Sequence, residues 1–233
     1  MATTGIRQNA DARRSTVTAV WDRSSSGQRV ATHLRSLLYE GALRSGDRVP
    51  QDEIADALGC SRLPVREAII ALEHEGLLMI EPHRGAFVNP ITRATFEDQF
   101  ELFGSTLGIA VGCAARRGGA KFMAELNVAL ELLAGAKDLD GFALANDALQ
   151  SLIITSAQSP RLRAVLRVLS GITPGNFFEL VPGSRERQLA GIRAMVAAAV
   201  GGDLENAEIE CRAMMRAQGD ALIDLLSERG FFA

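Results

Sequence analysis

The chain has 233 residues, 47% of them hydrophobic and 23% charged, with a net charge of −3. This is an ordinary globular composition, long enough for one large domain or two small ones. No apolar run approaches the ~20 residues that span a bilayer, and the N-terminal stretch lacks a compact apolar core with a small-residue cleavage site, so neither a membrane protein nor a secretory leader is expected.

Cys60, Cys113 and Cys211 are widely spaced and odd in number. They point to thiols in a reducing cytoplasm, not to a disulfide framework or a zinc site. Charge is unevenly placed. Residues 1–90 hold 11 Arg, no Lys and 11 acids, and residues 91–233 hold 14 basic residues against 17 acids. A neutral first half can attract nucleic acid only through local placement of its arginines.

Residues 1–26 are polar and end in a Ser-rich stretch, which predicts a flexible arm, with Trp21 docking somewhere on the body. A first helix is predicted over Gln28 to Glu40, where Val30, Leu34, Leu37 and Leu38 make one apolar stripe. Asp52 to Leu58 forms a second, with Ile54, Ala55 and Leu58 inward and Gly59 suited to a left-handed C-terminal position. Leu63-Pro64 sets up a third, because proline fits the first helical position. Its buried face is Val65, Ala68, Ile69 and Leu72, which leaves Arg66 outside, and Gly76 closes it. Leu78-Met79-Ile80 and Ala86-Phe87-Val88 are short strand signals, with Pro82 to Gly85 as the turn between them.

Helix, tight turn, helix and hairpin over residues 27–90 describe a winged helix-turn-helix with three helices and a short β-hairpin. The N-terminal residues of such a second helix meet base edges in the major groove. Arginine is well shaped for that work, since its planar fork donates two parallel hydrogen bonds to guanine O6 and N7. Arg62 and Arg66 occupy those positions, and the alternative for them is a solvated face with surface ion pairs. Cys60 in the turn reads more simply as a small hydrophobe than as a redox sensor.

From Thr92 the strand signals vanish. Amphipathic helices are predicted at about 93–116, 120–136, 139–157, 160–172, 184–200 and 203–229, with breaks at Gly118-Gly119, Asp138 to Asp140, Ser159-Pro160, Thr173 to Gly183 and Gly201-Gly202. The fold class is mainly α, with an all-helical bundle over 91–233. That domain holds no histidine, since His33, His74 and His83 all precede it. It shows no nucleophile motif and no phosphate loop, so an enzyme is not expected.

Residues 41 to 90 closely resemble the DNA-binding domain of GntR-family transcriptional regulators. The resemblance rests on Ser61-Arg62-x-Pro64-Val65-Arg66-Glu67-Ala68, then Leu72-Glu73-x-Glu75-Gly76-Leu77, then Arg84-Gly85-x-Phe87-Val88. The helical remainder, with Gly202-Asp203 and Ala207, looks like the FadR-type effector domain, also called FCD. The resemblance implies a cytoplasmic homodimer on a palindromic double-stranded DNA operator, modulated by a small effector. It implies that Arg62 and Arg66 read bases, that Ser61 touches phosphate, and that His83-Arg84-Gly85 follows the minor groove. Leu63 stands where a capping polar residue is common, and Ile70 and Ala71 replace frequently basic positions.

Many FCD domains bind a divalent metal through one Asp and three His. At the corresponding positions this chain has Asn146, Gln150, Ile192 and Met214, which implies no metal and no other cofactor. Phe103 and Gly108 stand where the family often shows Arg and Glu. A relatively apolar effector pocket lined by Phe103, Asn146, Gln150, Ile192 and Met214 is expected, suited to an acyl or aromatic ligand. The alternative is a DNA-binding scaffold with a vestigial pocket and no small-molecule response. An enclosed cavity near those residues discriminates between the two.

Overall fold

The computed structural model describes residues 26–171 and 173–232. The polar arm and Trp21 lie outside the described residues, except Ser26, which opens the first helix. A helical head comes first: α1 (Ser26–Tyr39), α2 (Gln51–Ala57), α3 (Arg62–His74), then β1 (Leu78–Glu81) and β2 (Gly85–Val88). The strands pair antiparallel, with Leu78 opposite Val88 and Glu81 opposite Gly85. An all-α bundle follows: α4 (Arg93–Ala134), α5 (Leu139–Ser156), α6 (Pro160–Ser170), α7 (Phe177–Leu180), α8 (Ser184–Val200) and α9 (Leu204–Glu228).

The head forms around the stripes that the apolar spacing dictates. Val30, Leu34 and Leu38 of α1 are buried with Val65, Ile69 and Leu72 of α3 and Ile54 of α2. Gly59 and Gly76 both adopt positive φ just beyond their helices, at 60° and 77°, as C-terminal glycines do without steric cost. Asn89 fixes the base of the hairpin, its Nδ2 donating to the Gly76 and Leu78 carbonyls at 2.8 and 3.2 Å.

Helix starts in the bundle follow capping chemistry. The Asp138 and Asp203 carboxylates accept from the Gly141 and Asn206 amides at 2.7 and 3.0 Å, which satisfies N–H groups with no intrahelical partner. Asp203 thereby gives the Gly202-Asp203 element its structural meaning, and Ala207 lies fully buried one turn later. The two helices expected at 93–116 and 120–136 both form within the span of α4 and meet at a non-helical Gly119, where φ is 53° and ψ −143°. Helix α7 falls in a stretch predicted as a break, because four residues are too few to show a period.

The longest packing seam joins α4 to α9. Gly104, Gly108 and Gly112 recur every four residues and so face one side. A Cβ added at Gly104 would lie 2.8 Å from the Arg212 Cα, and one at Gly108 2.9 Å from the Glu208 Cα. The two backbones therefore meet directly, so Gly108 serves helix packing and not pocket polarity. Head and bundle are joined by rings: Tyr39 sits 6.5 Å from Phe96 and 6.3 Å from Phe231, centroid to centroid.

Candidate nucleic-acid interface and effector cavity

Helix α3 begins at Arg62, two residues before the start that Pro64 at the first helical position predicts. Its N-cap Ser61 is extended (φ −76°, ψ 170°) and makes no side-chain cap bond, so its hydroxyl and the first α3 amides remain available to an anion. Arg62 and Arg66 are both exposed. Arg62 Nε is 2.6 Å from Asp52 Oδ1, and both side chains are about two-thirds exposed, at 68% and 64%. An ion pair in that setting is worth ~0–1 kcal/mol, little enough for a stronger partner to displace. Arg66 has no ion pair among the described residues.

At the hairpin tip His83 and Arg84 are exposed, and His83 has a φ of 63°. Arg84 pairs with Glu81 and lies 5.5 Å over the Phe87 ring. The Glu73 carboxylate accepts from the Ile80 amide at 3.2 Å, which fixes the hairpin's pitch against α3. Arg48 was not singled out by sequence. It bridges to Phe87 at the hairpin edge, and a Cβ on Gly85 would lie 3.1 Å from its Nε. Arg48, Arg62 and Arg66 line one shallow surface groove between the start of α2 and α3. No local motif marks Arg48, because its place comes from a single bridge across forty residues of chain.

In the bundle, a cavity of about 240 Å³ is walled by Phe100, Phe103, Asn146, Gln150, Phe177, Gln188 and Gln218, among others. It brings together Phe103, Asn146 and Gln150 of the expected pocket residues. Ile192 and Met214 do not line it: they are 1% and 5% exposed core residues, and Met214 fills the space beside Gly191. Sequence reasoning missed Gln188 and Gln218, which are buried amides. Gln188 Nε2 donates to Asn146 Oδ1 at 2.8 Å. At the rim, partial burial raises the Asp147 carboxyl above its usual range, opposed by a hydrogen bond from the Asn146 side chain.

A second, larger cleft of about 490 Å³ lies between head and bundle. Arg35 Nη2 donates to both Glu75 carboxylate oxygens there, at 2.6 and 2.7 Å. A side chain on Gly171 would overlap that carboxylate. Ser170, Thr173, Pro174 and Gly175 belong to the walls of both this cleft and the smaller cavity.

Comparison with known proteins assigns this architecture. Residues 26–88 match the family model described as bacterial regulatory proteins, gntR family, and residues 108–217 match the FCD domain. This chain is a GntR-family protein with an FCD domain. It is 35% identical over 157 residues, 67% of the chain, to an uncharacterised HTH-type transcriptional regulator of Mycobacterium tuberculosis, and spans 64% of that relative's length. The HTH-type transcriptional repressor RspR of Escherichia coli is 33% identical over 98 residues, 42% of this chain and 41% of RspR. Among solved structures, E. coli McbR/YncC superposes with a TM-score of 0.57 at 24% identity, covering 88% of this chain and 99% of that one. Lar, described as controlling the Listeria monocytogenes agr system, gives 0.57 at 18% identity, over 85% and 97%. At those identities the two structures speak for the fold.

The metal that many FCD domains carry does not fit the residues present here. Asn146 Oδ1 is engaged by Gln188, Gln150 is an amide, and Ile192 and Met214 are packed hydrophobes. No group of three or more His, Cys, Asp or Glu side chains able to hold a metal ion occurs among the described residues. Neutral amides and hydrocarbon offer a divalent transition metal neither imidazole nor carboxylate. Cys211 is equally unsuited to redox work, its thiol pushed up to about 12 by burial and then by the Glu208 and Glu210 carboxylates, since the reactive form is the thiolate. Among the described residues no helix is long and apolar enough to cross a membrane.

Proposed function

We propose that this GntR-family protein is a cytoplasmic, sequence-specific DNA-binding transcriptional regulator. In this reading it acts as a homodimer on a palindromic double-stranded operator and responds to a small effector held in the bundle cavity. The observation that carries the reading is the exposed pair Arg62 and Arg66 at the start of α3, with Arg48 in the same groove. Arg62 and Arg66 read guanine edges in the major groove, each bidentate contact discriminating by ~1–3 kcal/mol. Ser61 contacts phosphate through its free hydroxyl and the α3 N-terminus, while His83-Arg84-Gly85 tracks the minor groove. The ion pairs Arg62–Asp52 and Arg84–Glu81 hold these side chains outward until phosphates and bases replace them.

Effector control follows from the wall shared by cavity and cleft. A ligand pressing on Thr173, Pro174 and Gly175 changes the seat of the head against the bundle, and with it the spacing of two heads in a dimer. That is a population shift between arrangements of different operator affinity. What supports an effector over a vestigial pocket is a half-open cavity beside Phe103, Asn146 and Gln150, without the Ile192 and Met214 walls that were expected.

Selection of bound duplexes from a randomised pool by the full chain tests the function. Enrichment of two inverted half-sites containing guanine is expected. Recovery of unenriched sequence would contradict it.

A further inference from the structure

The bundle cavity contains a chain of amides whose orientation is fixed at every link. Gln218 Nε2 donates to the Ser184 carbonyl at 2.8 Å and to Gln188 Oε1 at 3.1 Å. Gln188 Nε2 donates in turn to Asn146 Oδ1 at 2.8 Å. An amide nitrogen has two protons, and Gln218 uses both on carbonyl oxygens. Turning its amide over would place its oxygen against two acceptors, so Oε1 is held facing the other way.

The donors between side chains therefore point towards Asn146, and the acceptor left at the chain's origin is Gln218 Oε1. That atom is buried and has no hydrogen-bond partner among the described residues, on a side chain 1% exposed that lines the cavity. A buried polar atom without a partner is rare enough to call for an explanation. Thr173, another lining residue, also has its Oγ1 buried and unpartnered among the described residues.

The remaining lining narrows the chemistry. Phe100, Phe103, Phe177 and Phe178 supply apolar ring surface. Among the described residues no Arg, Lys or His lines the cavity, and Asp147 is the only ionisable residue that does; Arg163 and Arg167 line the adjoining cleft beyond Phe103 and Gln150. A carboxylate or phosphate entering it would lose its hydration, find no cation and face a carboxyl group. A volume of about 240 Å³ lies below the usual range for drug-sized ligands, so the occupant is compact.

We infer that this cavity takes a compact, uncharged, aromatic molecule that donates an N–H or O–H hydrogen bond to Gln218 Oε1, and that it rejects anions. The inference rests on the effector reading above and names the class of ligand. A donor reaching Gln218 Oε1 completes the amide chain. An isosteric molecule without the donor leaves that oxygen desolvated, a difference worth about tenfold or more in affinity.

Calorimetric titration of the full chain with indole, 1-methylindole and benzoate tests this directly. Indole is expected to bind, 1-methylindole to bind about tenfold or more weakly, and benzoate to give no binding. Gln218→Met, checked for folding by its circular dichroism melt, is expected to remove the preference for indole over its methyl derivative. The wild-type comparison stands whether or not that variant folds. Equal binding of the two indoles, or tighter binding of benzoate, would overturn the ligand class while leaving the cavity as an effector site. Failure of all three probes to bind at millimolar concentration would remove the effector reading itself.

Discussion

Glu75 and Arg35 tie the C-terminal end of α3 to α1 where the head meets the bundle, and breaking that tie has a calculable consequence. Their side chains are only 13% and 17% exposed. Both Glu75 oxygens are taken by Arg35 Nη2, and Arg35 Nε has no partner of its own among the described residues. Glu75→Ala therefore strips the guanidinium of its counter-charge while leaving it largely desolvated. Breaking a fully buried pair costs ~3–5 kcal/mol and an exposed one ~0–1. At this depth about 2–3 kcal/mol is expected, or a fall of roughly 4–12 °C in melting temperature for a chain this long. Arg35→Ala should cost a similar amount, because it strands the carboxylate beside Gly171. The double variant removes both charges, so its loss should fall short of the sum by at least about 1 kcal/mol. Urea denaturation followed by circular dichroism reads all three. Losses that add within about 0.5 kcal/mol, or single losses under about 1 kcal/mol, would refute the view that this pair is a buried tether.

Three further outcomes follow from particular contacts. Gly104→Ala should destabilise by about 1–3 kcal/mol, because its Cβ would meet the Arg212 backbone at 2.8 Å and overpacking costs that much; a melt unchanged from wild type would contradict the α4–α9 seam. In the native state at mildly alkaline pH, Cys211 should label with a thiol reagent far more slowly than the half-buried Cys60 and Cys113, because its thiol is pushed up to about 12; mass spectrometry of the labelled peptides decides this. Asp147 has a raised carboxyl in the folded state, so it contributes stability that is present below its unfolded value of 3.8 and lost as pH rises through the folded value. Asp147→Asn should remove that decline and flatten denaturation midpoints measured from about pH 4 upward; an unchanged pH profile would contradict the assignment.

The head was legible because its signals are local. Apolar spacing placed α1 to α3, Gly59 and Gly76 ended two of them, and a turn between apolar triplets gave the hairpin. The exposed sides of Arg62 and Arg66 followed from which residues had to be buried. Arg48 was not legible, since its position depends on pairing with Phe87 and not on neighbours in the chain. The bundle's helices and most of their ends were equally readable from capping residues and Gly pairs, the break at Gly118-Gly119 included. Helix α7 escaped because one turn has no periodicity. The cavity was read only in part. Phe103, Asn146 and Gln150 converge on it, but Ile192 and Met214 face the core, because family register says which residues are replaced and not how a replacement repacks. The expectation of a mainly apolar pocket likewise omitted Gln188 and Gln218. Two glutamines on separate helices give no sign in sequence that they join one hydrogen-bonded chain.

The central claim is that the first turns of α3 read DNA. Its most direct test is the affinity of the full chain for its selected operator and for an unrelated duplex at one fixed salt concentration, with Arg62→Ala, Arg66→Ala and the double variant. Each single change is expected to weaken operator binding by about 1–3 kcal/mol and to relax preference at one base position, with a far smaller effect on the unrelated duplex. Operator binding unchanged in the double variant would contradict the account.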